Sequence, residues 1–158
     1  MKKALLNIAC SALLAGSLMA QSLATKKSLT LAAAKKLAEA AEAEAAANKW
    51  NVVIAILDEG ANLVYLQRMD GTQIGSVDVA IAKASSAVKF KRPTKAFEDV
   101  LAGGRQAILK LPGAMPVDGG LPLMVDGQII GAIGVSGVQS NQDGQIAKAA
   151  VDALAKLK

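Results

Sequence analysis

Two strand–turn–strand units limit what this chain can fold into. Val52 to Leu57 is a continuous, β-branched apolar run, too short for a helix, and reads as a strand covered on both faces. Asp58-Glu59-Gly60-Ala61-Asn62 is a turn, and Leu63 to Gln67 returns as a second strand. Leu121 to Val125, Asp126-Gly127 and Gln128 to Ser136 repeat the pattern around an Asp-Gly turn. A hairpin is antiparallel, so two of them exclude a purely parallel sheet. Gly131, Gly134 and Gly137 thin the last strand, so another backbone or a ligand is expected close to it.

The remaining segments carry helical spacing. Ser28-Leu29-Thr30 offers an N-cap, and Leu31, Ala34, Leu37, Ala38, Ala41 and Ala45 recur on one face up to Asn48. Ser76 is placed to cap a second helix, with Val77, Ala80, Ile81, Ala84 and Val88 inward and Pro93 as its stop. Thr94 is placed to cap a short third helix through Phe97 and Leu101, closed by Gly103-Gly104. Ile146, Ala147, Ala150, Leu154 and Leu157 mark the last helix. All four prolines lie between residues 93 and 122, the most irregular stretch. The pattern predicts an α+β domain from residue 26 to residue 158: a single antiparallel sheet built from two β-hairpins, with helices packed on it.

The first residues read as a targeting segment. Lys2-Lys3 precede an apolar run from Ala4 to Ala15, followed by small residues up to Ala24. This is the pattern of a secretory signal peptide over residues 1–24, with cleavage expected between residues 20 and 24. The apolar run is short for a membrane span, so no stable insertion is expected after cleavage. Two lysines suit a periplasmic destination better than an extracellular one. Without Lys2 and Lys3 the balance is 16 basic to 13 acidic residues, too mild to predict nucleic-acid binding. The only cysteine, Cys10, leaves with the segment. A mature chain without disulfides is expected to rely on its core and on partner subunits, hence a homo-oligomer.

Composition excludes several chemistries. There is no histidine, so a Ser-His-Asp triad, a Cys-His pair and an HExxH zinc site are impossible. Aromatic residues are 3% of the chain, which argues against base-stacking platforms. Hydrophobic residues are 53%, enough for a packed core.

Three places stand out for chemistry. Glu39 and Glu42 share a helix face and are weak candidates for a hard cation; the plainer reading is a solvated face. Phe90-Lys91-Arg92-Pro93-Thr94-Lys95 is the densest basic patch and sits at a helix-to-helix break. It can bind a carboxylate through an arginine fork, or simply face helix carbonyls. Met115 to Pro122 contains Gly119-Gly120, which either lets backbone approach a ligand or makes a tight turn. No general base with an evident partner appears, so no catalytic residue is assigned.

Taken together, Leu29-Thr30-Leu31, Leu57-Asp58-Glu59-Gly60, Arg68-Met69-Asp70-Gly71, Lys83-Ala84, Arg92-Pro93-Thr94, Pro116 to Pro122, Gly131 to Gly137 and Gln142-Asp143 resemble the GlcG/HbpS family, related to the C-terminal domain of PduO. The resemblance implies a profilin-like αββ…ββα domain that assembles with itself and binds haem or a related tetrapyrrole for sequestration or carriage. A haem-degrading or redox-accessory enzyme and a structural or sensor-partner module without a small ligand are the other readings. The ligand site then falls between the Lys91-Arg92-Thr94 break and the Met115, Gly119, Gly120 loop. Arg68 and Thr72 would complete its wall across a subunit contact. An axial ligand cannot be histidine here; Met, Lys, Tyr or a threonine hydroxyl remain, with Thr72, Thr94 and Met115 nearest the matching segments.

Overall fold

The computed structural model describes residues 25–157, so the expected targeting segment and Cys10 lie outside the described residues. In chain order the elements are α1 (Leu31–Ala47), β1 (Val53–Asp58), β2 (Leu63–Arg68), α2 (Ser76–Phe90), α3 (Lys95–Ala102), a 3₁₀ turn (Gln106–Lys110), β3 (Gly120–Val125), β4 (Gln128–Ser136) and α4 (Ser140–Leu154). Both expected hairpins form. They join through β1 and β4 into a four-stranded antiparallel sheet of order β2-β1-β4-β3. The 3₁₀ turn was not expected, because its five residues are too short to establish a periodicity.

β1 explains the layering. Val53, Ala55 and Leu57 point to α2, where they pack with Ala80, Ala84, Ala87 and Val88. Ile54 and Ile56 point the other way, into a core shared with α1 and α4. A continuous apolar strand therefore sits in the middle of an α/β/α sandwich, buried on both sides. The α1–α4 face is smooth, with Ala34, Ala38, Ala41, Ala45, Ala147 and Ala150 all buried. Leu37 and Ile146 fill the space that the alanines leave.

Gly134 sets the distance between the sheet and α2. A Cβ at this position would lie 2.0 Å from the Ala80 carbonyl oxygen and 2.6 Å from the Ala84 amide nitrogen. The backbone expected near the glycine-thinned strand is thus α2 itself.

Several local readings need correction. The α2 N-cap is Gly75, and Ser76 is instead buried inside the first turn. α2 ends at Phe90, before the proline, because Lys91 turns left-handed with φ 54° and its amide returns to the Ala87 carbonyl. Thr94 precedes α3 but makes no side-chain cap, since its hydroxyl is used elsewhere. Leu157 lies beyond α4 and is exposed. Thr30 caps α1 as expected, accepting from the Ala33 amide at 3.1 Å. α4 begins with an unforeseen capping box between Gln139 and Gln142. Among the described residues, no helix is long and apolar enough to cross a membrane.

Candidate functional site

The α2–α3 break and the glycine loop meet. The Gly120 amide donates to the Thr94 hydroxyl at 2.9 Å, and the Thr94 amide donates to the Gly120 carbonyl at 2.9 Å. The Met115 amide donates to Ser86 Oγ on α2 at 3.0 Å. The Asp118 amide donates to Glu98 Oε2 on α3 at 2.6 Å. Four bonds from three segments therefore fasten residues 115–120 against the break.

Under this loop lies a charged centre that sequence reasoning did not assign. Lys83 on α2 is 1% exposed, and its ammonium donates to Asp143 Oδ2 on α4 at 2.7 Å and to the Val135 carbonyl at 3.0 Å. Asp143 also accepts from the Val138 amide at 3.2 Å. The pair joins helices from opposite faces of the sheet beside the start of edge strand β3. Gly119 makes this possible. It has φ +117°, and a Cβ there would lie 2.9 Å from Lys83 Nζ and 2.8 Å from Asp143 Cβ.

Asp118 completes the centre. Its Oδ1 accepts from the Gly119 amide at 2.7 Å, and its carboxylate packs against Gly144 at the start of α4. Burial raises the Asp118 pKa, and the neighbouring Glu98 charge adds to this; the Gly119 amide, Lys83 and Lys95 oppose it. Burial also raises the Asp143 pKa, against the hydrogen bond and charge of Lys83. Lys83-Ala84 and Gln142-Asp143 were visible only as matching fragments. A lysine inside an alanine-rich helical stretch gives no local sign that it points inward.

The break itself is aromatic. Phe90 and Phe97 meet edge to face at 5.2 Å, and the Arg92 guanidinium lies 5.4 Å over the Phe97 ring. Its Nε donates to the Phe90 carbonyl at 3.3 Å. Lys91 and Arg92 are both exposed, and Met115 is half-buried. Lys91 also lines a groove of about 630 Å³ with Lys26, Val88, Met124 and Ile129.

Other expected site residues are placed differently. Arg68 ends β2 on the sheet edge opposite β3, three strand spacings or about 14 Å away. Thr72 is buried, and its hydroxyl donates to the Met69 carbonyl at 2.8 Å. One subunit therefore does not bring Arg68 and Thr72 to the loop. Gly119 and Gly120 lie against Lys83, Asp143 and Thr94 of their own chain, so their missing side chains make room for internal packing. Glu39 is exposed and Glu42 half-buried on α1. Among the described residues, no group of three or more His, Cys, Asp or Glu is arranged to hold a metal ion.

A four-stranded antiparallel sheet between two helical layers, with a glycine loop pinned over a buried lysine–aspartate pair, defines a class of small α+β domains. Residues 29–152 match the family described as haem-degrading protein HbpS-like, and the chain belongs to that family. Protein GlcG of Escherichia coli K12 is 41% identical over 112 residues, covering 71% of this chain and 84% of GlcG. The crystal structure of Klebsiella pneumoniae protein ORFY superposes with a TM-score of 0.82 at 34% identity, covering 90% of this chain and all of ORFY. The crystal structure of a PduOC–haem complex superposes with a TM-score of 0.74 at 29% identity, covering 80% of this chain and 95% of that one.

Proposed function

We propose that this chain is an exported, oligomeric protein that binds haem, or a related tetrapyrrole, to sequester or carry it. The observation that carries this reading is the fold shared with a relative solved as a haem complex. The residues present are compatible with a propionate-bearing macrocycle. Lys91 and Arg92 are exposed at the break; the Arg92 guanidinium lies over Phe97 and donates through Nε to the Phe90 carbonyl, and its remaining N–H groups are of the kind that grips a carboxylate. The Thr72 and Thr94 hydroxyls are buried and bonded internally, and the half-buried Met115 thioether beside the break would be a soft donor available to hold the group. Bound haem would supply iron for ligand or electron exchange; the protein's part is to hold its carboxylates and cover its apolar faces.

Haem titration followed by absorbance, with the redox state fixed, tests the reading. Saturable binding is expected. Changing Lys91 and Arg92 together to Ala should weaken it by on the order of 1.5–3 kcal/mol per lost charge-assisted bond, before non-additivity. Changing Lys110 and Lys156 to Ala should leave it unaltered. Light scattering is expected to return a mass above that of the monomer.

The family's description favours one rival, haem degradation. Reductant and oxygen would then bleach the Soret band with many turnovers per subunit, whereas a carrier shows none.

A further inference from the structure

The two edges of the sheet are finished differently. On β3, the Val135 amide donates to the Gly119 carbonyl at 2.9 Å, so Leu121 and Leu123 turn their backbone groups to β4 while Gly120 and Pro122 turn theirs outward. Neither offers an N–H to an incoming strand. Thr94 takes both groups of Gly120, its amide donating to the carbonyl and its hydroxyl accepting from the amide. Pro122 has no N–H. β2 carries no such guard. The Met69 amide donates to the Val52 carbonyl at 3.0 Å, so Tyr65 and Gln67 face β1, and Leu66 and Arg68 present their backbone groups outward. The register irregularity falls at Val64, which leaves Tyr65 to Arg68 regular. Among the described residues, none bonds the outward amides of Leu66 and Arg68. The strand reads Leu-Val-Tyr-Leu-Gln-Arg, with no proline, glycine or lysine to deter pairing, and Leu63 at its start is 50% exposed.

We propose that β2 is the self-association surface, pairing antiparallel with β2 of a second copy about a twofold axis at Leu66. It rests on the functional reading above for self-association alone, and not for haem. An isologous contact needs a strand that complements itself. With Leu66 across from the partner's Leu66, the two exchange both backbone hydrogen bonds on the axis. Tyr65 then lies across from the partner's Gln67. Within one chain the Tyr65 hydroxyl donates to Gln67 Oε1 at 3.1 Å, so the Gln67 amide nitrogen keeps its donors for the partner's Tyr65 oxygen on the same face. Arg68, the only charge of the strand, falls across from the partner's Val64, and no like charges meet. Leu66 packs on the α2 side and Tyr65 on the α1–α4 side, so apolar surface joins on both faces of the sheet. The partner's glycine loop lies beyond its own β1 and β4, so Arg68 belongs to the contact and each ligand site to one subunit.

Light scattering of the haem-free protein tests this, with circular dichroism to check that each variant folds. Leu66→Lys and Leu66→Glu each set like charges against one another on the axis, and each should lower the parent's mass by about a factor of two or more. An equimolar mixture of the two variants should recover the parent's mass, because the introduced ammonium then faces the introduced carboxylate. Packing loosened within one subunit would not be rescued by mixing. In the parent, hydrogen exchange at the Leu66 and Arg68 amides should be slow in the assembled protein and fast after dilution to monomer, which decides the matter even where a variant fails to fold. Folded variants that keep the parent's mass, a mixture that stays dissociated, or Leu66 and Arg68 amides that exchange as open groups in the assembled parent overturn the proposal and leave the functional reading standing. A parent that is monomeric at micromolar concentration overturns the proposal together with the oligomeric part of that reading.

Discussion

The two faces of the sheet are built by different rules. On the α1–α4 face, packing is almost entirely alanine, leucine, isoleucine and valine. On the α2 side, the buried set includes Ser76, Lys83, Ser86 and Thr94, and each of their side chains has a hydrogen-bond partner in the chain. Burying polar groups costs free energy even when they are paired, so the second face is a poorer way to gain stability. It does fasten a loop that the first face could not hold, because only hydrogen bonds and charges fix an irregular backbone in one place. The contrast separates a largely apolar α1–α4 scaffold from the α2–α3–loop region, where the proposed ligand site lies.

The largest effect that could separate the faces comes from Lys83. Lys83→Met leaves Asp143 buried without its partner and should cost about 3–5 kcal/mol in denaturant unfolding. The double change Lys83→Met with Asp143→Leu should recover much of that stability but not haem binding, because the loop loses its seat. Recovery of both would mean that the pair is only a packing device.

On the opposite face, Leu37→Ala should cost about 2–5 kcal/mol by leaving a cavity between α1 and the sheet. Haem affinity measured well below the melting temperature should be unchanged. A loss of affinity comparable to that of Lys91→Ala with Arg92→Ala would place the ligand on the scaffold side.

The smallest effect is in the pH dependence of stability. Asp118 and Asp143 have raised native pKa values, so the folded chain holds these protons more tightly than the unfolded chain. Their contribution to stability is full below the ordinary value of 3.8 and is lost as pH rises through the raised values. Asp118→Asn should flatten this slope and be the more stable protein above that window, by less than about 1 kcal/mol because Asp118 is only half-buried. An unchanged slope would remove Asp118 from the charged centre.

Most of the scaffold was legible in the sequence, and the reason is periodicity. β1 reads as a doubly covered strand because every residue from Val53 to Leu57 is apolar. α1 is visible through its cap and its alanine stripe. The loop region was legible only in outline. Arg92, Thr94 and Gly120 stood out as unusual types at a break, but nothing local shows that the Thr94 hydroxyl turns away from α3 to hold Gly120. Lys83 and Asp143 are 60 residues apart and belong to helices on opposite faces, so their pairing exists only once the sheet is assembled. Ser86 and Glu98 anchor the loop through backbone amides, and such contacts leave no pattern in the side chains of either partner.

Amide hydrogen exchange with and without haem locates the ligand directly. Haem should slow exchange at residues 91–97 and 115–120 and leave α1 and α4 as they are in the free protein. Protection that instead falls on the α1–α4 face, or an exchange map that haem does not alter, would contradict the division of the molecule into scaffold and site.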